Sequence, residues 1–416
     1  MTPRAGLLLV AAIGLGSRAL GAAVLRPPGG LIRQEPSVMA ANVNAGLGFI
    51  HEQYGTMVYG LKEPGHIALL ALLLRVFGDR DLPILVLQWT CGVAVAVLAA
   101  ALTRRLTADA GAGLVAGILV ATNPFLVSYD SRLVHSLSLD MLLFVVTVAT
   151  NVWAVEPGHW TWRRAALAGA VTGVALWQRS LLLFGGLGVW AVAVLLSRGA
   201  RLREAARAAL WLLVAVALVF PWFVRNHQLI GRWVYTSDFA HVLWLGNNPH
   251  SNGTYTDDRG IRVIDHMDRA VFYGRISGKS ETEQMDAFLE LVKAWVREHP
   301  SAAAALVARK ALAFVWFAPN IGAEYTRRET AAYMAWYVVL LALGMAGAWY
   351  LWRLGDPARR RRLALVGGAM LGIIALHAMV AINMKHRVPL EIVLSVCAGF
   401  YVARAWRAVR PEARLP

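Results

Sequence analysis

The sequence predicts an all-α fold: a polytopic membrane helical bundle of about ten spanning helices. Composition, the spacing of the apolar runs and the placement of arginine all predict it. Of 416 residues, 58% are hydrophobic and 16% charged, and the mean hydropathy is +0.52. A soluble domain has about 45–50% apolar and about 25% charged residues. The formal net charge of +16 comes from 41 Lys and Arg against 25 Asp and Glu. Nucleic acid is not the expected partner, because arginine in cytoplasmic loops orients membrane proteins and meets anionic lipid.

A bilayer crossing takes about 20 largely apolar residues. The stretches 5–25, 82–102, 112–128, 138–155, 164–178, 181–197, 208–224, 333–352, 363–383 and 388–405 meet that requirement in apolarity, the fifth and sixth being short. The first follows Arg4 and reads as an uncleaved span rather than a signal peptide. Residues 36–47, 64–77 and 301–318 are apolar but short, or carry Arg75, Arg309 and Lys310. They are expected to lie at the interface; counting them as spans extends the range to 10–13. Cys91 and Cys397 fall in apolar runs without metal-ligand spacing and read as core.

With Arg4 inside, the inner loops hold Arg104 and Arg105, Arg163 and Arg164, Arg198 to Arg207, Arg353 and Arg359 to Arg362. The tail with Arg404, Arg407, Arg410 and Arg414 also falls inside. The short outer loops hold few cations, as the positive-inside rule requires. Two long segments are then outside, 26–81 and 225–332, within a single domain 1–416. The second contains an amphipathic helix near 281–297, opened by a Ser280–Glu283 capping box. Its apolar face carries Met285, Phe288, Leu289, Val292, Trp295 and Val296. Gly113/Gly117, Gly169/Gly173 and Gly368/Gly372 read as close helix packing.

The outer face collects ionisable residues from distant parts of the chain: Glu35, Lys62, Glu63, His66, Asp130, Arg132, His135, Asp140, Arg179, Arg225, Lys385, His386 and Arg387. Such a cluster at membrane depth is a site hypothesis. Glu35 precedes Pro36 and would begin the short helix 36–47, whose dipole favours the ionised carboxylate. Glu63 before Pro64 reads as a helix cap. Lys62, Arg225 and the Lys385–Arg387 run suit an anion such as phosphate. His51, Glu52 and His66 are the candidate metal ligands, without tight spacing.

Five stretches resemble the GT-C class of membrane glycosyltransferases, which includes protein O-mannosyltransferases and the lipid A aminoarabinose transferase. They are Glu35-Pro36-Ser37 through Gly46-Leu47-Gly48; Tyr59-Gly60-Leu61-Lys62-Glu63-Pro64 with Val76-Phe77-Gly78; Asp140-Met141-Leu142-Leu143; Pro221-Trp222 through Arg225-Asn226 with Gly246-Asn247-Asn248-Pro249; and His386-Arg387-Val388-Pro389. The likeness covers nearly the whole chain, most clearly 30–250 and 380–400. Two positions depart from the family pattern, in which Asp stands at Glu35 and Pro at Glu63.

The resemblance implies a polyprenyl-phosphate sugar donor, a lipid, glycan or protein acceptor on the non-cytoplasmic face, and inversion at the anomeric carbon. It places the base at Glu35 and a phosphate-contacting lysine at Lys62; by charge and position, Arg225 and Arg387 are expected to join Lys62 on the donor phosphate and Asp140 to orient acceptor or metal. Use of a divalent metal stays open, and no other cofactor is implied. High Ala, Arg and Trp usage fits a bacterial inner membrane. The other class weighed is a multispan transporter or flippase. Such proteins hold ionisable residues near the midplane and show repeated halves, neither of which is evident.

Overall fold

The computed structural model describes residues 2–156, 161–317 and 325–409. Helix α1 (Pro3–Leu25) is followed by an outer segment containing α2 (Glu35–Asn44), a hairpin of β1 (His51–Gln53) and β2 (Thr56–Val58), and α3 (Pro64–Phe77). Next come α4 (Asp81–Thr107), α5 (Ala110–Ala121), α6 (Pro124–Arg132), α7 (Leu137–Ala154), α8 (Trp162–Leu176), α9 (Leu181–Leu196) and α10 (Arg201–Ile230). The second outer segment carries α11 (Asp238–Leu245), α12 (Arg269–Arg275), α13 (Glu281–Glu298) and α14 (Pro300–Val315). Then α15 (Arg327–Leu354), α16 (Pro357–Met379) and α17 (Val388–Val409) complete the bundle. Residues 318–324 of the second outer segment, and Arg410 and Arg414 of the tail, lie outside the described residues.

All ten expected spans fall on helices. Seven of these helices are long and apolar enough to cross a membrane, and the pair α5 and α6 makes an eighth with a bend of 42°. The bend sits at Asn123-Pro124: proline cannot supply the helical N–H, and the Asn123 side chain caps Leu126 instead. Helices α8 and α9, of 15 and 16 residues, are shorter than a full crossing. The protein is therefore multi-pass and almost wholly helical, with the small hairpin as its one sheet among the described residues. Tyr54 and Gly55 both take positive φ, 50° and 80°, as a two-residue turn of this hairpin requires.

Helix α10 runs six residues beyond the expected end at 224. It stops where Gly231 takes the left-handed conformation, φ 69°, that caps helix C-termini. The amphipathic α13 has its Ser280–Glu283 capping box, and buries Met285, Phe288 and Val292 against Ala240, Trp244 and Leu245 of α11. This packing makes a compact layer over one end of the bundle.

The small-residue pairs pack helix on helix. A Cβ on Gly169 would lie 2.5 Å from the Trp211 carbonyl oxygen, on Gly113 2.6 Å from that of Ala100, and on Gly372 2.0 Å from that of Phe184. Gly372→Val should therefore lower the melting temperature in detergent, costing about 1–3 kcal/mol or more. Gly367→Ala, one turn face away with nothing within 4 Å, should change stability by less than about 1 kcal/mol, and favourably.

Candidate active site

The loop Tyr59–Glu63 carries Lys62 to the end of the bundle that α11 and α13 cover. Pro64 opens α3 and holds Glu63 in an extended conformation. The loop is clamped from above. The buried Glu281 carboxylate, at the start of α13, accepts the backbone N–H groups of Tyr59 (2.6 Å) and Gly60 (2.8 Å). The Gly60 carbonyl accepts the Ser237 N–H at 2.7 Å.

Lys62 Nζ lies 2.6 Å from Asp238 Oδ2 and 3.1 Å from Glu35 Oε2. Glu35 stands in the first turn of α2, as expected, and is 48% exposed. Asp238 opens α11 and is 17% exposed. Its other oxygen lies 3.5 Å from His241 Nδ1, and His241 Nε2 lies 3.0 Å from the Tyr54 hydroxyl. A polar chain Tyr54–His241–Asp238–Lys62–Glu35 thus joins the hairpin, the outer layer and α2.

Electrostatics keep the centre of this chain charged. Burial works against the Lys62 ammonium, but Asp238 and Glu35 outweigh it and raise its pKa above the ordinary lysine value. Burial likewise opposes ionisation of Asp238, yet Lys62 and His241 hold its carboxyl well below the usual range. Burial, then Asp238 and Glu35, push the Tyr54 hydroxyl up to about 12.

More cations gather beside Lys62. Arg179, in the α8–α9 link, lies 3.6 Å from Asp140 and feels Glu63 and Asp238 as well. His135, in the α6–α7 link, feels Lys385, Arg179, His66 and Lys62 together. His66 is buried in α3, and neither of its ring nitrogens has a hydrogen-bond partner among the described residues. Lys62, Arg179 and Lys385 therefore reach one region from three separate elements. That region can take an anion, with the Glu35 carboxylate at its open side.

Several expected site residues have other partners. Asp140 is buried; it accepts from Ser136 (2.9 Å) and Gln178 (2.8 Å) and faces Arg179, so it orients a cation rather than an open cleft. Arg225 donates to the Tyr59 carbonyl at 2.6 Å and to Asn226, with its guanidinium 4.4 Å over the Trp222 ring. It braces the lysine loop. Arg387 is only 1% exposed and donates to the carbonyls of Ala313 and Phe314 (both 2.9 Å) and Trp316. Those carbonyls end α14, so Arg387 caps a helix C-terminus. Glu63 does not cap α3: it accepts from Ser180 N (3.1 Å) and Oγ (2.7 Å) at the start of α9. Asp130 is spent on Arg18 at 2.8 Å. No group of three His, Cys, Asp or Glu side chains that could hold a metal occurs among the described residues; His51 and Glu52 lie on β1 and His66 on α3.

Asp238, His241 and Tyr54 were not singled out from the sequence. Asp238 sits within the longest polar segment, and nothing in its local pattern marks Lys62, 176 positions away, as its partner. Arg179 and Lys385 carried a usable signal, since both are cations in short outer loops otherwise poor in them.

Residues 62–224 match the family model for dolichyl-phosphate-mannose-protein mannosyltransferases. The matching segment begins at Lys62 and includes Asp140 and Arg179. It bears out the resemblance drawn from the motifs: the protein is a membrane glycosyltransferase, and a transporter is not favoured. The chain is also similar to the crystal structure of ArnT from Cupriavidus metallidurans in the apo state, at 15% identity and a TM-score of 0.39, over 98% of this chain and 80% of that one. No curated protein matches the sequence.

Loss of the loop clamp should be measurable. Glu281→Ala removes a buried charge-assisted acceptor of two N–H groups and should cost about 2–4 kcal/mol, with faster amide hydrogen exchange at residues 59–62. Acid should also destabilise the fold. Burial, with Lys385 and Arg179 behind it, holds His135 well below the ordinary histidine pKa, so below about pH 6.5 the unfolded chain binds more protons and stability falls as pH falls. Asp238, held low, stays ionised there, so its pair with Lys62 adds nothing to this slope above about pH 4. Melting curves between about pH 7.5 and about pH 5 should show the loss, and His135→Asn should flatten it.

Proposed function

We propose that the protein transfers a sugar from a polyprenyl-phosphate carrier to a hydroxyl or amine acceptor at the non-cytoplasmic face of a bacterial inner membrane. The observation that carries this reading is Lys62 Nζ, lying 3.1 Å from Glu35 and 2.6 Å from Asp238. A cation held by one partly buried and one exposed carboxylate is poised to exchange the exposed one for a phosphate.

In this reading the donor phosphate meets Lys62, with Arg179 and Lys385 beside it. The interfacial helices α2 and α3 border the site at headgroup depth, where a lipid-borne phosphate resides. The phosphate takes the place of Glu35 at Lys62, while Asp238 keeps hold of the ammonium. The freed Glu35 carboxylate accepts the acceptor proton as the acceptor oxygen or nitrogen attacks the anomeric carbon. The bond between that carbon and the phosphate oxygen breaks, and its electron pair leaves with the carrier as a phosphate monoester. The cations stabilise the charge that develops there, so no separate acid is required. Attack opposite the leaving group inverts the anomeric centre. Asp140 acts through Arg179.

Purified protein with a radiolabelled polyprenyl-phosphate sugar tests the scheme. Glu35→Gln should reduce turnover by about 10²–10⁴-fold with an unchanged melting temperature; retained turnover rejects Glu35 as the base. Asp238→Asn should raise KM for the donor more than it lowers kcat, because it loosens Lys62 without touching the reacting atoms.

A further inference from the structure

Helix α4 carries charge at both ends. Asp81 at its outer end pairs with Arg26 and Arg33. Arg104 and Arg105 end it on the other side, 24 residues and about 36 Å away by helical rise. At that second end, a cavity of about 570 Å³ opens between α4, α7, α16 and α17. Its walls are apolar: Leu102, Phe144, Val148, Val366 and Ile392. Its mouth is polar, formed by Arg105, Trp153, Glu156 and Arg362. Trp153 there is 36% exposed and packs under the Arg164 guanidinium at 4.3 Å.

Several arginines at this end are spent on structure. Arg207 pairs with Glu204 and donates to the Ala154 carbonyl, and Arg361 donates to that of Val155, so both close the end of α7. Arg360 does the same for Trp352 and Arg353 at the end of α15. Arg105 is exposed and makes no hydrogen bond or ion pair among the described residues. Arg362 is 39% exposed and pairs with Glu156 at 2.7 Å. The cavity thus combines an apolar slot with a cationic mouth.

We propose that this cavity binds one anionic phospholipid, its acyl chain between α4, α7, α16 and α17 and its phosphate at Arg105 and Arg362. The size fits a ligand site of about 300–1,000 Å³, and basic pockets between spans suit anionic headgroups. Apolar walls with no partner atoms forfeit dispersion contacts that a hydrocarbon chain restores. The sugar carrier is not the occupant, since its phosphate belongs beside Lys62 at the opposite end of α4. That exclusion of the carrier rests on the proposed function; the cavity and its cationic mouth do not.

Native mass spectrometry of the full chain from detergent micelles tests it, with phosphatidylglycerol and phosphatidylcholine of identical acyl chains as probes. Phosphatidylglycerol should leave one retained adduct and phosphatidylcholine none at the same concentration. Arg105→Gln should weaken that adduct about fivefold and the Arg105→Gln/Arg362→Gln pair about thirtyfold. Ala149→Phe fills the slot and spares the arginines, so it should abolish the adduct. Glycerol phosphate without acyl chains should not compete. Equal retention of the two lipids, or an unchanged adduct in Ala149→Phe, overturns the proposal. Melting curves check that each variant folds, and the comparison of lipids on the unmodified protein decides the matter without any variant.

Discussion

A single ammonium group organises one end of this protein. Lys62 is drawn partly out of water, which costs free energy unless counter-charge is near. Asp238 supplies it at 2.6 Å and Glu35 at 3.1 Å. The two carboxylates are unequal in a useful way, one enclosed by the outer layer and the other half in solvent. A cation between unequal partners keeps its charge and retains one site that an incoming anion can claim. Most of the surrounding architecture keeps this arrangement in place. The hairpin supplies Tyr54 to steady His241, α11 supplies Asp238, and α13 supplies the Glu281 clamp on the lysine loop.

Charge buried in the bundle beneath is either ion-paired or hydrogen-bonded. Arg18 meets Asp130 and Arg207 meets Glu204, each pair almost wholly buried. Glu391 accepts from Asn123 at 2.7 Å and from the Tyr333 hydroxyl. Such pairs add little net stability, because desolvation offsets much of their attraction, but losing one partner is costly. They also fix relative placement. Asn123 sits at the α5–α6 bend and Glu391 on α17, so their bond ties the kink to the last helix. Arg387, fully enclosed, ties α17 to the end of α14. The residue has a cation's structural use, satisfying carbonyls that a helix end leaves open.

Charge is therefore divided between the two ends of the bundle. At the Lys62 end carboxylates and cations alternate in a cluster. At the other end arginines predominate, several of them on helix carbonyls, with Arg105 and Arg362 at the mouth of an apolar slot.

Helix positions were legible because bilayer thickness sets a length and apolarity that single residues display. The capping box at Ser280, the proline starts of α2 and α3 and the packing glycines are local signals of the same kind. Glu35 and Lys62 were legible as an exposed acid and a cation in one outer segment. Which partners they keep was not. Asp238 finds Lys62 across 176 residues, Arg225 turns to a loop carbonyl, and Arg387 turns inward to α14. Sequence displays a side chain's charge, which composition and spacing can reveal. Only packing decides which counter-charge or carbonyl lies within 3 Å of it, because that distance depends on how separate helices cross.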